Sequence, residues 1–281
     1  MPRSALNPLT PFLELHRHRD LLRQFARRTI EQRHRGSFLG LAWTVITPLL
    51  SLGIYTFVFG FVFNAGKFTD SPVETTVDYA LGIFLGLIVF QFLSEVLAQS
   101  PAVVVTQPNF VKKVVFPLEI LPAATVAAAA LTAVISLALA LLGVAVLGPG
   151  LDWHALYLLL IVPPVLLIAC GCAWFLAAFG VFIRDIANAM PFIVQVLVYT
   201  SAVFYRVSLL EKVPFGWVRA ILLYNPLLHA VESTRRAVLW KLWQQPVETH
   251  SLVLLWATGL VVCIFGYFVF QKLRPAFADV I

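Results

Sequence analysis

Charged residues are scarce in this chain of 281 residues. Asp, Glu, Lys and Arg together make up 12 %, hydrophobic residues make up 60 %, and the mean hydropathy is +0.89. A soluble domain carries about 25 % charged residues, so the composition predicts an all-α, polytopic membrane protein. The formal net charge is +6. We nevertheless expect no nucleic-acid partner, because 13 of the 20 Lys and Arg fall in segments assigned below to the inner face of a membrane.

Cysteine is also rare, with Cys170, Cys172 and Cys263 all inside apolar runs. None lies in a predicted outer loop, so a disulfide framework is not expected. Cys170 and Cys172 are two residues apart and would point in different directions from a helix, which argues against a metal-binding pair. We therefore expect all three to be packing residues.

Several chemical motifs are missing. The sequence contains no Gly-x-x-x-x-Gly-Lys-Ser/Thr phosphate loop, no His-Glu-x-x-His and no Gly-x-Ser-x-Gly. Acidic residues are essentially absent from the apolar runs, where ion-coupled transporters keep ionisable groups. The sequence therefore predicts a chain without catalytic residues, metal or cofactor of its own. If such a protein pumps, its energy must come from a partner.

The residues from Gly36 to Gly66 include no charged side chain, and eight arginines precede them within the first 35 residues. About 20 apolar residues cross a bilayer, and an arginine-rich lead-in places the N-terminus in the cytoplasm. Within residues 11–35, Leu22, Ala26 and Ile30 recur every four residues between arginines. This pattern predicts an amphipathic helix in the inner headgroup region; a solvated basic helix is the alternative.

The hydropathy pattern predicts six spans with both termini cytoplasmic: about residues 40–63, 79–97, 118–147, 156–183, 187–205 and 251–271. The basic, proline-broken segment 98–116 would connect spans two and three in the cytoplasm. Pro163 and Pro164 are expected to kink span four or delay its start. Six of the seven outer Lys and Arg fall in residues 206–250. This conflicts with the positive-inside rule, and an even number of extra short crossings would be the rival explanation.

Residues 206–250 read neither as a simple loop nor as a span. An apolar stretch of about ten residues, too short to cross a bilayer, ends at Asn225-Pro226, which supplies an N-cap and a first-turn proline. Two short helices meeting there indicate a re-entrant hairpin, which is tolerated at membrane depth where protein or a water-filled cavity surrounds it.

Glu232 precedes Arg235 and Arg236 by three and four residues, so it can pair with them along a helix. These charges either steady a surface helix only, or belong to the outer lid of a conduit. The residues alone favour neither interpretation.

Aromatic residues cluster in two predicted spans. Tyr55, Phe59 and Phe63 share one face of span one, and Tyr199, Phe204 and Tyr205 end span five. Such faces can stack on the C–H surfaces of sugar rings, but the residues alone favour helix packing or an outer aromatic belt.

Three stretches together resemble type-2 ABC export permeases over roughly residues 15–272. They are RHRGSFLG at 33–40 with Trp43 and Pro48, VKKVVFPLEILP at 111–122, and YNPL at 224–227 followed by Glu232 and Arg235 or Arg236. The closest branch exports bacterial polysaccharide, such as O-antigen or teichoic acid. His34 departs from the family, which often has Tyr there.

The resemblance implies a homodimer in the bacterial inner membrane, joined by two copies of a P-loop ATPase that binds ATP and Mg. Segment 98–116 would hold a coupling helix for that ATPase. Spans one and five would line the conduit, with the six aromatic residues above on the polymer. Residues 206–250 would form the outer gate. The coupling candidates are Gln107, Asn109, Phe110, Lys112 and Lys113, and the gate candidates are Asn225, Pro226, Glu232, Arg235 and Arg236.

The implied substrate is a glycan carried on a polyprenyl diphosphate, with membrane lipid around it. Arg33 and Arg35 would attract the diphosphate at the inner entrance through charge-assisted contacts. O-antigen, capsule and wall polymer all remain open as the exported glycan. The alternative functions are a type-2 exporter of drugs or small lipids, and an ATP-independent channel or scaffold.

Overall fold

The all-helical prediction is confirmed. In the computed structural model, which describes residues 10–33, 36–58, 74–112, 116–212 and 214–281, the described chain contains no β-strand. Its α-helices, in chain order, are α1 Thr10–Arg17, α2 Arg19–Arg33, α3 Trp43–Tyr55, α4 Thr76–Gln99, α5 Pro108–Val111, α6 Ile120–Val146, α7 Leu158–Phe182, α8 Asp185–Thr200, α9 Gly216–Leu223, α10 Pro226–Val238, α11 Trp240–Trp243, α12 Thr249–Leu273 and α13 Phe277–Val280.

Four helical stretches are long and apolar enough to cross a bilayer, namely Thr76–Ala102, Ile120–Val146, Trp153–Phe182 and Thr249–Val280. Two shorter apolar helices, Trp43–Val58 and Asp185–Thr200, lie where spans one and five are predicted. The last residues of predicted span one fall outside the described residues. The chain is therefore a multi-pass membrane protein, and the count of six spans stays a prediction.

Helix α4 is the central helix. Of its most hydrophobic stretch, 78 % is buried within the protein, against 22 % to 33 % in the other three long helices. Its first turn is closed by a reciprocal cap: the Asp78 carboxylate accepts from the Thr75 amide at 2.9 Å, and the Thr75 hydroxyl oxygen accepts from the Asp78 amide at 3.2 Å. Helices α3, α6, α7, α8 and α10 pack around it.

Helices α7 and α12 form the most extensive helix pair among the described residues. A Cβ atom on Gly266 would overlap the carbonyl oxygen of Gly171, and one on Gly171 would overlap that of Val262. The two backbones therefore touch, as in small-residue crossings of membrane helices. Because α7 begins at Leu158, Pro163 and Pro164 lie inside it and do not delay its start.

A second core joins the N-terminal helices to residues 104–121 and to the C-terminal end of the chain. The Phe25 ring of α2 lies 5.2 Å from Phe110 and 5.5 Å from Phe116, measured between centroids. Arg274 donates to the Glu119 carboxylate at 3.0 Å and to the Phe116 carbonyl at 3.1 Å. Helix α2 has no fully buried residue, as expected for one that lies on the surface.

Candidate transport site

Helix α8 ends at Thr200, five residues before the predicted end of span five, and a turn follows. Ala202 in this turn has φ +52°, the left-handed region that non-glycine residues rarely adopt. Phe204 and Tyr205 were expected on a helix face, but they lie in this turn. A helix leaves its last carbonyls without intrahelical donors, and here side chains donate to two of them and to the carbonyls of the turn.

Arg235 of α10 is the main donor to this turn. Its Nη1 donates to the Ala202 carbonyl at 2.8 Å, its Nη2 donates to the Val203 carbonyl, and its Nε donates to the Gly82 carbonyl of α4 at 2.7 Å. The side chain is fully buried. Burial of a charge is costly unless its donors are satisfied, and these three carbonyls accept from it on two elements at once.

Three further side chains hold the same helix end. The Asn225 amide donates to the Thr200 carbonyl at 3.0 Å, and the Tyr205 hydroxyl donates to the Tyr199 carbonyl at 2.8 Å. The Tyr79 hydroxyl of α4 reaches the Phe204 carbonyl at 3.5 Å. The predicted gate segment thus fixes the end of a predicted conduit helix.

Helices α9 and α10 meet at Asn225-Pro226, as the sequence predicts. Asn225 Oδ1 accepts from the Leu227 amide at 3.0 Å, and Pro226 is the first helical residue. Helix α10 is buried against α4, α7 and α12, whereas α9 has no buried residue. The two short helices are therefore present, while their depth in a membrane stays a prediction.

Glu232 forms an ion pair with Arg236, whereas Arg235 donates to backbone carbonyls. Arg236 Nε lies 3.2 Å from Glu232, and its Nη1 lies 2.7 Å from Glu248, a residue that the sequence did not single out. Partial burial acts to raise the pKa of Glu248, but the charge and hydrogen bond of Arg236 and a hydrogen bond from Ser251 outweigh it. The net pKa of Glu248 is lowered.

The structure brings together some of the predicted conduit aromatics. The Tyr55 ring lies 5.3 Å from the Phe204 ring, which joins α3 to the turn after α8. Tyr199 is 63 % exposed at the end of α8. Phe59 and Phe63 lie outside the described residues.

At the other end of α4, Arg33 forms an ion pair with Glu95 and donates to Gln99 Oε1 at 3.2 Å. Both charged side chains are mostly buried, with 21 % and 23 % exposure. Arg33, predicted to meet a diphosphate, is thus already paired within the chain. Arg35 lies outside the described residues.

The predicted coupling residues surround α5. Asn109 and Lys112 are exposed, Gln107 is half-buried, and Phe110 packs on Phe25 and Phe116. A Cβ atom on Gly180 of α7 would overlap the Pro101 carbonyl oxygen, so α7 touches the backbone at the start of segment 98–116. Lys113 lies outside the described residues.

Two regions therefore lie at opposite ends of α4, whose 24 residues span about 36 Å. One end carries the Arg33–Glu95 pair and leads to α5. The other end borders a polar cavity of about 1060 Å³, lined by residues from the start of α4 and from α9 to α11. Across the described residues, no cluster of three or more His, Cys, Asp or Glu could hold a metal ion.

The family profile described as ABC-2 type transporter matches residues 20–239. This chain belongs to the ABC-2 type transporter family. Its relatives include two proteins of Klebsiella pneumoniae and one of Myxococcus xanthus, each named O-antigen export system permease protein RfbA. Each is 24 % identical to this chain. The matches cover 93 % to 95 % of this chain and 95 % to 97 % of the relatives. The resemblance to type-2 ABC permeases is thereby confirmed.

Membership of this family identifies the chain as a multi-pass permease subunit of an ABC exporter. In such an exporter the permease works with an ATPase partner. The roles of individual residues remain predictions, to be judged by the geometry above.

Proposed function

We propose that this chain is the membrane subunit of an ATP-driven exporter that carries a lipid-linked polysaccharide across the bacterial inner membrane. The observation that carries this proposal is the end-to-end similarity to three permeases named for O-antigen export. Two permease chains would form the path, and two copies of a separate P-loop ATPase would bind ATP and Mg and supply the energy. Both termini would lie in the cytoplasm, and six spans would cross the membrane.

Exposed apolar faces on α3 and α8 give the proposed second protomer a surface to pack against. Helix α8 exposes Phe192, Val196 and Tyr199, and α3 exposes Leu50 and Ile54. In a membrane, such faces meet lipid or a second protomer. If α3 and α8 line the path between protomers, the predicted conduit residues Tyr55, Tyr199, Phe204 and Tyr205 would lie beside it.

A continuous route of contacts supports coupling between the ATPase side and the gate. Force on α5 would reach α2 through Phe110 and Phe25, and would reach α4 through the Arg33–Glu95 pair. Helix α4 would pass the movement to Arg235, which holds both α10 and the end of α8. The gate residues Asn225 and Arg235 would then release or hold the turn after α8.

Arg33 binds a diphosphate, in this proposal, only after its pair with Glu95 opens. Guanidinium groups suit phosphate because they donate several hydrogen bonds in one plane. The ion pair would keep this site closed until the lipid carrier arrives.

An exporter of drugs or small lipids is the second candidate. The apolar crevice lined by α4, α6 and α7 residues has a volume of only about 110 Å³, whereas pockets for drug-sized ligands have about 300–1,000 Å³. This crevice therefore gives no support to a drug site in the described part of the protein.

The deciding experiment is purification of the tagged chain from its native membrane in mild detergent, followed by mass spectrometry and an ATPase assay. We expect a stoichiometric P-loop ATPase, and ATP-dependent movement of polyprenyl-diphosphate-linked glycan into proteoliposomes. Recovery of the chain alone without ATP hydrolysis would favour a channel or scaffold instead.

A matched pair of variants tests the coupling segment. Lys112 beside α5 and Lys272 near the end of α12 are both exposed lysines. Lys112→Glu should lower glycan-export rate and ATPase copurification, and Lys272→Glu should leave both near wild type. Equal effects of the two substitutions would contradict the assignment of α5.

A further inference from the structure

The polar cavity at the outer end of α4 has a composition that the roles above do not use. About 1060 Å³ in volume, it is lined by both signs of charge: Asp78, Glu232 and Glu248 face Arg206, Arg219, Arg236 and Lys241. Gln244, Gln245 and hydroxyl side chains complete much of the polar wall. This volume is at the upper end of the range for pockets that hold drug-sized ligands, so it admits an oligosaccharide.

The carboxylates of this cavity are held in place by the fold. Asp78 accepts from the amide and the hydroxyl of Thr75 at 2.9 Å and 2.8 Å. Glu232 and Glu248 both pair with Arg236. An ionised carboxylate has about four lone-pair sites, so these partners orient the oxygens without using up their accepting capacity. A preorganised acceptor loses less entropy when a ligand binds.

Donors stand in the same cavity. Arg219 and Lys241 have exposed side chains on its wall, and the two neighbouring glutamines offer amide groups that both donate and accept. Gln244 also has φ +50°, an uncommon backbone conformation for a residue with a side chain. This conformation closes the C-terminus of α11, where left-handed residues are common.

The cavity wall offers fixed hydrogen-bond acceptors beside donors. It therefore suits a ligand whose groups both donate and accept hydrogen bonds. Hydroxyl groups donate and accept, so they can use both the carboxylates and the donors of the wall, whereas a phosphate at neutral pH mainly accepts and would leave the carboxylates without a donor. An apolar ligand would leave these polar groups without partners, which is costly. The chemistry therefore favours a polyol.

We propose that this cavity binds sugar units of the exported glycan on the outer side of each protomer, as a site separate from the path between protomers. The inference rests on the proposed function for its source of carbohydrate and for the outward direction. The site would bind the glycan chain as it leaves the path between protomers. Binding would not require the lipid diphosphate.

The test uses the purified permease–ATPase complex and polysaccharide freed from its lipid by mild acid, labelled with a fluorophore at its reducing end. Arg219→Gln with Lys241→Gln replaces two charged donors by neutral amides, and Ser208→Trp fills the cavity without changing its charge. The control replaces two exposed cations at the opposite end, Arg23→Gln with Lys272→Gln. Thermal midpoints and ATPase copurification check that every variant is folded.

We expect the wild type and the control to bind the free chain alike, and both cavity variants to bind it at least about tenfold more weakly, from the loss of charged donors or of space. Equal affinity in folded cavity variants would overturn the proposal. So would competition by polyglutamate as effective as that by unlabelled glycan, because the cavity would then be a general anion site.

Export into proteoliposomes separates the two claims. If lipid-linked glycan is exported but the free chain does not bind the wild type, the cavity proposal fails and the exporter stands. If the free chain binds as expected but no glycan is exported, the exporter proposal fails and the carbohydrate site stands.

Discussion

The Arg235 guanidinium donates to the Gly82 carbonyl at 2.7 Å, joining α10 to the second turn of α4. The same guanidinium holds two carbonyls in the turn after α8. One buried side chain therefore fixes the relative positions of three helices, two of which belong to the proposed gate and conduit.

Replacement of Arg235 should strongly lower the stability of the protein. Arg235→Met leaves the buried Ala202 and Val203 carbonyls of the turn without this donor, at about 1–3 kcal/mol for each unsatisfied group, so we expect a loss of roughly 2 kcal/mol or more. Arg235→Lys should lose less stability than Arg235→Met but more than none. A lysine ammonium cannot reproduce the planar set of donors that a guanidinium offers. Thermal unfolding in detergent measures the effect. Arg27→Met, on the exposed surface of α2, should be near wild type, and equal losses at the two positions would contradict this role.

Gly86 provides the space for that guanidinium. An alanine Cβ there would lie 2.7 Å from Arg235 Nη2 and 3.1 Å from a Val231 methyl. The guanidinium is held by three carbonyls and cannot simply move away, so Gly86→Ala should cost about 1–3 kcal/mol through overpacking. In an Arg235→Met background the cost should shrink, because the two residues are coupled. Strict additivity in this double-mutant cycle would refute the contact.

The α7–α12 crossing depends on the absence of a side chain at Gly266. Gly266→Ala would drive a methyl group into the Gly171 carbonyl, so the helices must separate, and we expect a loss of about 2 kcal/mol or more. Gly53→Ala in α3 is the matched control, because its Cβ would meet nothing within 4 Å. That change should be neutral or slightly stabilising, through better helix propensity. Thermal midpoints of the two variants compare them directly.

A charge swap distinguishes two roles of Arg33. Arg33→Glu and Glu95→Arg should each destabilise the protein by about 1–3 kcal/mol, since each places like charges together in a mostly buried pair. The double swap should restore the thermal midpoint. If Arg33 also binds the diphosphate, glycan export should stay low in the double swap. Full recovery of export would show that the pair is only structural.

The pairing of Glu248 with Arg236 should depend on pH. The pKa of Glu248 is lowered below its usual value of 4.5, so its contribution to stability is present above about pH 4.5 and is lost as pH falls through the lowered pKa. Protection factors at residues 226–248, which correct for the intrinsic pH dependence of amide exchange, should therefore stay constant from pH 6 to about pH 4.5 and fall below it. Glu248→Gln should exchange faster at pH 6 and respond less to acid. An identical response in the variant would exclude this group as the cause.

Local signals in the sequence were sufficient for several elements. The start of α10 at Pro226 follows from a cap and a proline that act within one turn. The long helices α4, α6, α7 and α12 follow from apolar runs longer than a globular core helix needs. Their positions around α4 could not be derived in this way, because neighbouring helices in a membrane are selected by packing and not by hydropathy.

The burial of Arg235 follows from helical periodicity, but its charge suggests the opposite. It lies four residues after Val231 and three before Val238, so helical periodicity places it on the buried face of α10. Its charge nevertheless suggested an exposed partner for Glu232. The glycines of α4 at positions 82 and 86 were the available sign of a groove that accommodates a large side chain. The early end of α8 had no local sign, because the Thr200 carbonyl accepts from Asn225 and the carbonyls of the following turn accept from Arg235, both far along the chain.

The burial of α4 has a consequence for biosynthesis. Apart from α3, the helices that cover it, α6, α7, α8 and α10, are all made later than α4. A newly made α4 therefore lies in lipid without the hydrogen bond from Arg235 to its Gly82 carbonyl. That bond can form only after some 150 further residues have been translated. The membrane domain can reach its final packing only when the last third of the chain has been translated, so chains truncated before Arg235 should be substrates for membrane proteases.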